Sequence, residues 1–318
     1  MRVLITGASG FIGAYLVEEG LRRGYEVWVA VRAGSDVSRL PSKGIHSLVD
    51  LPFDDVRGLT ERLRAIPQGW DYVVHNAGVT KVVHKEDFYR INALYTKHFI
   101  EALSLSGRSP KKFLLMSSLS SYGRIEGQKP ESIYGQSKLA AERYVAEGSL
   151  PYVILQPTGV YGPGDRDYGL ALEQVRKGIG LAVGLKAQRL TFIYVKDLSR
   201  VAYLALENEQ AVNRRYVVSD GEVYTDREFI GLMQEAVGRR FVIRLRIPLP
   251  LVRVACFCCE QSGRLVKRAV TLNSDKYLIL RQRDWVCDTT AVREELGFVA
   301  EYSLKKGLEE TVSVSQGR

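Results

Sequence analysis

Cysteine is scarce: four residues in 318, three of them crowded at Cys256, Cys258 and Cys259. That spacing is no disulfide framework, and with no histidine nearby it does not make a metal site; buried packing is the expectation there, and no metal is expected in the chain. Long apolar runs are absent as well. None reaches 18 residues, so no membrane-spanning helix is expected. The N-terminal MRVLITG shows no charged leader, apolar stretch and cleavage site in series, which predicts no signal peptide and a cytoplasmic location. Zinc-finger, RNP-like and helix-turn-helix signatures are missing too, so nucleic acid is not an expected partner.

What is present is ordinary globular material, 46% hydrophobic and 25% charged, enough for one large domain or two modest ones. The formal net charge is +9, and the excess is uneven. Residues 239–284 hold eleven Lys or Arg against three acids. A basic face of that kind suits an anionic membrane surface or a phosphate-bearing substrate, or serves solubility alone.

Short apolar runs rich in β-branched and aromatic residues lie at 2–6, 26–31, 45–49, 72–75, 113–116 and 152–155. Stretches of helical periodicity at 11–23, 56–65, 88–105 and 134–147 separate several of them. The alternation predicts an α/β fold, a doubly wound parallel sheet of the Rossmann kind. After Pro157 it becomes irregular, with Gly and Pro clustered at 159–164. The expected division is a dinucleotide-binding domain over 1–158 and a smaller substrate lobe over 159–318, with about 197–220 returning to the first domain.

Thr6-Gly7-Ala8-Ser9-Gly10-Phe11-Ile12-Gly13 follows the first run and opens the first helix. Gly7 permits a tight turn, Gly10 close approach to a pyrophosphate, and Gly13 close helix–strand packing. Ser9, Phe11 and Ile12 stand where a helix N-terminus offers free N–H groups to an anion. At the end of the second run, NAD-binding sheets usually carry an acid for the ribose 2′-hydroxyl. Val31 occupies that place and Arg32 follows. A guanidinium suits a 2′-phosphate, so NADP is preferred to NAD.

Tyr134 and Lys138 are four residues apart and share a helix face. A phenol near pKa ~10 is a poor acid/base at neutral pH, and a nearby cation favours its phenolate. Tyr302 and Lys306 repeat the spacing, but only Tyr134 follows a strand ending in Ser117 and Ser118, where doubly wound folds bind ligands. Tyr302 is expected at the surface. Ser118 is the expected hydroxyl partner. Ser117 is the alternative, and period-2 alternation sends the two to opposite faces.

Taken in order, these motifs resemble the extended short-chain dehydrogenase/reductase family, the NAD-dependent epimerase/dehydratase group. To the glycine turn and Tyr134-x-x-x-Lys138 are added His75-Asn76-Ala77-Gly78, Asn92, Tyr122-Gly123, the stretch from Pro157 through Val160 to Gly164, and Asp197. The resemblance implies that Tyr134 is the acid/base, that Lys138 holds the nicotinamide ribose, and that Ser118 is the family's hydroxyl. It further implies that Asp50 and Leu51 flank the adenine, that Ala77 and Gly78 line the cofactor, and that Pro157 and Val160 lie against the nicotinamide. Asn92 would be structural, Asp197 would brace the lobe junction, and two copies would pair through the helices near 92–106 and 134–148.

Departures narrow the chemistry. Family dehydratases carry Thr-Asp-Glu where this chain has Ser118-Leu119-Ser120. No cysteine lies near Ser118 or Tyr134 as a second proton carrier, and His84 reads as a solvated loop residue. Fifteen residues separate Ser118 from Tyr134, a short loop for the family. In the second lobe, Arg244, Arg246, Arg253, Arg264, Lys267 and Arg268 flank an apolar helical stretch. They would hold a substrate diphosphate or rest that helix on a membrane. The expected function is NAD(P)-dependent hydride transfer at a carbonyl or secondary alcohol of a small-molecule substrate. The alternatives are a nucleotide-sugar 4-epimerase and, further off, a non-catalytic dinucleotide sensor.

Overall fold

Seven parallel strands form the central sheet of the computed structural model, which describes residues 1–123 and 129–316. They are β1 (Arg2–Thr6), β2 (Glu26–Val31), β3 (Ile45–Val49), β4 (Tyr72–His75), β5 (Lys112–Met116), β6 (Tyr152–Pro157) and, from the second half of the chain, Arg214–Val218. The last follows four short strands, β7 (Gly159–Tyr161), β8 (Ile179–Val183), β9 (Arg189–Leu190) and β10 (Phe192–Tyr194), and is numbered β11. The order is β11-β6-β5-β4-β1-β2-β3, so strand order reverses between β1 and β4, and a ligand crevice opens at their C-terminal ends. The doubly wound α/β reading of the sequence holds.

Helices cover both faces because the strands are apolar on both. On one face α1 (Phe11–Arg22) packs beside α7 (Val195–Glu207), and Leu16, Val17, Val201 and Ala202 meet Ile5, Val27 and Leu114. On the other, α2 (Val56–Arg64), α4 (Tyr95–Leu105) and α5 (Ile133–Glu147) bring Leu59, Phe99, Leu103 and Ala141 against Leu4, Phe113 and Ile154. Between β4 and α4, α3 (Glu86–Tyr89) runs into a single π turn over Arg90–Leu94. β5 begins one residue earlier than its apolar run. Lys112 is buried there, and its ammonium donates to the carbonyls of Ala205, Leu206 and Asn208 at the end of α7.

A third cluster lies beyond the sheet: Tyr161, Phe192, Tyr194, Phe229, Met233 and Leu308. It is built by α6 (Asp167–Arg176), β12 (Tyr224–Thr225), α8 (Asp226–Ala236), β13 (Ile243–Ile247) and α12 (Leu304–Gln316), with the strands paired two by two as β7–β10, β9–β12 and β8–β13. Tyr302, expected at the surface, is wedged here. Its ring lies 4.4 Å from that of Tyr194, and its amide donates to the buried Asp197 at 2.9 Å. Asp197 also accepts from Glu301 N (3.1 Å) and Arg200 (2.8 Å), tying α7 to the chain before α12. The remaining helices are α9 (Leu249–Leu265), α10 (Ser274–Leu280) and α11 (Thr290–Leu296). No described helix is long and apolar enough to cross a membrane.

Candidate active site

The expected site residues follow the C-terminal ends of neighbouring strands. After β1, Gly7 adopts φ +68°, and a Cβ there would meet Ala77 N at 2.7 Å. A Cβ on Gly13 would fall 2.1 Å from Gly7 O. Both positions require glycine. Gly10 is the N-cap of α1, with no side-chain cap and no acid in the first turn. Gly10 N turns back to Gly7 O at 3.1 Å, so the amides of Phe11 and Ile12 that open α1, next to Ser9, are left to an anion, and a pyrophosphate fits. Ile12 and Val160 rest against the same core cluster. The Thr6 hydroxyl accepts from Ala77 N (3.2 Å) and bonds His75 Nδ1 (2.8 Å), which fixes the β4 loop beside the glycine turn. His75 is wholly buried, and burial pushes it down to about 3, so it stays neutral.

Beyond β2, Arg32 is exposed, and no carboxylate among the described residues pairs with it. Asp50 has φ +53° and accepts from Ala33 N at 2.7 Å, holding the turn that presents Arg32. Leu51 packs under this corner on the second cluster.

Beyond β5, Ser117 and Ser118 do part. The buried Ser117 hydroxyl donates to Glu142, while Ser118 caps the following 3-10 turn and stands beside the Tyr134 phenol. Ser117 is therefore occupied, and Ser118 is the hydroxyl at the tyrosine. Burial pushes the Tyr134 phenol up, and the nearby Ser118 hydroxyl opposes it. Lys138 Nζ donates to Met116 O at 2.9 Å, and a Cβ on Gly78 would stand 3.3 Å from it. Its remaining N–H groups suit ribose hydroxyls. Burial lowers this ammonium to about 8, opposed by the Glu142 carboxylate. Pro157 ends β6 buried, and beside it the Thr158 hydroxyl is buried without a partner, as a ligand-facing group would be. Asn92 fills its structural place: it bonds Val79 N (2.8 Å), Val79 O (3.0 Å) and Ser137 (3.0 Å).

Three contributors escaped the sequence reading. Glu142, wholly buried, bonds Ser117, Ser121 and Gln156 and pairs with Arg215 at 3.2 Å. It stands eight residues past Tyr134, a helical spacing that marks it. Asp275 accepts from Ile133 N (2.6 Å) and Tyr134 N (3.1 Å), capping α5 from the second lobe. Arg39 donates to Gly164 O at 3.0 Å, bridging the β2–β3 connection to the loop beyond β7. Neither of these two carries a local signal. His84 is exposed. Residues 124–128 of the short loop between Ser118 and Tyr134 lie outside the described residues.

Comparison with known proteins fits this geometry. The sequence model of the NAD dependent epimerase/dehydratase family matches residues 3–219. The chain belongs to that family. This epimerase/dehydratase-family protein is an NAD(P)-dependent enzyme of the extended short-chain dehydrogenase type. It is 27% identical to a 3-beta-hydroxysteroid dehydrogenase of Mycolicibacterium neoaurum, over 85% of this chain and 75% of that one. Ceramide reductase of Caulobacter vibrioides is 27% identical over 98% and 93% of the two chains. The solved UDP-glucose 4-epimerase of Thermus thermophilus, in complex with NAD, superposes with a TM-score of 0.76 at 25% identity, over 100% of this chain and 99% of that one.

Proposed function

We propose that this family member is a carbonyl reductase or secondary-alcohol dehydrogenase that prefers NADP(H) to NAD(H). The observation that carries the reading is the Ser118–Tyr134–Lys138 cluster at the C-terminal edge of the sheet, with Ser118 beside the phenol and Lys138 Nζ held on Met116 O. When bound, the nicotinamide supplies or accepts the hydride. Ser118 holds the substrate oxygen. Tyr134 gives that oxygen its proton in reduction and takes it back in oxidation. Burial keeps the phenol protonated, the donating form, and Lys138 stabilises the phenolate left behind. Gly7, Ser9, Gly10, Phe11, Ile12 and Gly13 form the pyrophosphate cradle. Arg32 takes the 2′-phosphate, Asp50 and Leu51 the adenine, and Ala77, Gly78, Pro157 and Val160 the nicotinamide half.

The names of the steroid and ceramide relatives support a substrate with an apolar body. The Phe88 ring stands edge-on to Tyr134 at 6.0 Å, and the small cavity beside it has a mixed lining, Val82, Val83 and Val270 together with Lys85, Arg264, Arg268, Glu260, Asn273 and Asp275. A second reading, nucleotide-sugar 4-epimerisation, is favoured by the likeness to the Thermus epimerase along the whole chain. Against it, Arg246 is paired with Asp226, Arg264 with Glu260, and Arg244 with Gln234, which leaves fewer guanidinium groups for a diphosphate.

The test is NADPH oxidation against ketones and aldehydes of increasing apolar bulk, wild type beside Tyr134→Phe. Turnover is expected in the wild type, with kcat lower by ~10²–10⁴-fold in the variant and dinucleotide binding retained. Full turnover in Tyr134→Phe contradicts the assigned role. Interconversion of UDP-sugars without net NADPH use selects the epimerase.

A further inference from the structure

The second lobe turns apolar side chains outward on two successive elements. In the β8–β13 pair, Arg244 and Arg246 lie toward α8, held by Gln234 and Asp226, and a Cβ on Gly180 would meet Ile230 on that side. By alternation, Leu181, Ile243 and Leu245 point the other way, and each is 47–51% exposed. α9 shows the same inversion. Val252, Cys256 and Gly263 face inward, while Leu251, Val254 and Phe257 on the opposite side are 56–60% exposed. Cys258 is exposed with them, so only Cys256 of the three cysteines meets the expectation of full burial. Pro248 joins the two elements, and Leu249 lies beside Gly184 at the end of β8.

Charge decides what covers this face. Arg253 on α9, Arg240 just before β13 and Lys267 just after α9 are exposed, and no carboxylate among the described residues pairs with them. The one acid of α9, Glu260, is turned inward to Ser274 N (2.9 Å) and Arg264 (2.7 Å). An isologous second copy would bring these cations against each other. Nucleic acid gains nothing from exposed Leu, Val and Phe. Exposed apolar side chains flanked along the chain by unpaired cations match an anionic lipid interface. We propose that the outer faces of β8–β13 and α9 dock on anionic phospholipid bilayers. The docked unit is also the one whose α10 caps the helix of Tyr134 through Asp275. The inference stands on this surface alone, whichever reaction the site performs.

Vesicle co-sedimentation of the full chain tests it, with phosphatidylcholine alone and mixed with phosphatidylglycerol, at low and high salt. Binding is expected to the mixed vesicles, weaker in high salt. In the triple variant Leu251→Ser, Val254→Ser, Phe257→Ser it should fall at least about tenfold, about 1.4 kcal/mol. Arg253→Ser with Lys267→Ser should weaken it independently, and each apolar position can be changed singly if the triple variant does not fold. The proposal is overturned if the wild type stays in the supernatant with mixed vesicles, or if the apolar variants bind undiminished. It is also overturned if light scattering shows a wild-type dimer that the triple variant turns into a monomer, which assigns the face to a second copy.

Discussion

Lys138 stands under two opposed influences. Burial drives its ammonium down to about 8, and the Glu142 carboxylate one helical turn further on holds it up. Below that pH the lysine carries its proton and favours the phenolate that Tyr134 becomes after donating. Reductive turnover should therefore fall as pH rises through about 8. Glu142→Gln removes the group that raises the lysine, so the fall should move to lower pH; superimposed kcat–pH profiles for the two proteins would refute the link. At this scale the sequence was informative where chemistry needs a fixed spacing. Tyr134 and Lys138 are one helical turn apart, and strand alternation separates Ser117 from Ser118. It was silent on Asp275, 141 residues from its partner, because a contact made by two lobes leaves no local pattern.

The helix that carries Tyr134 begins with its donors satisfied. Ser132 accepts from Gly135 N at 3.0 Å, and Asp275 accepts from the two preceding amides. A carboxylate at a helix N-terminus also meets the positive end of the dipole. Asp275→Ala should lower stability by about 1–3 kcal/mol, read from the denaturation midpoint. It should also reduce kcat, since the first turn of α5 sets the place of Tyr134. An unchanged midpoint and kcat would show that the second lobe does not hold this helix. The existence of α5 was legible from its periodicity, whereas its Ser132 cap emerged only with the structure. The π turn at Arg90–Leu94 was not, because Asn92 is buried there by bonds to Val79 and Ser137 rather than by any propensity of its own. α9 was legible as an apolar helix, but periodicity alone does not say which face meets water.

Across the whole molecule, the sheet was readable because strands buried on both sides must be apolar without interruption, and the helices between them must be amphipathic. The second lobe was not. Its strands are two to five residues long and find partners far along the chain, as β8 does with β13. The cofactor choice also belongs to this scale, for Arg32 and the Ser118 cluster lie at strands β2 and β5, on either side of the reversal in strand order. One measurement reaches the central claim directly: denature the purified protein, identify any dinucleotide released, and titrate the empty protein with NADPH and NADH. The reductase account predicts an exchangeable site that binds NADPH at least tenfold more tightly, about 1.4 kcal/mol. Tightly held NAD that does not exchange, with no preference for NADPH, would contradict it and point to the epimerase.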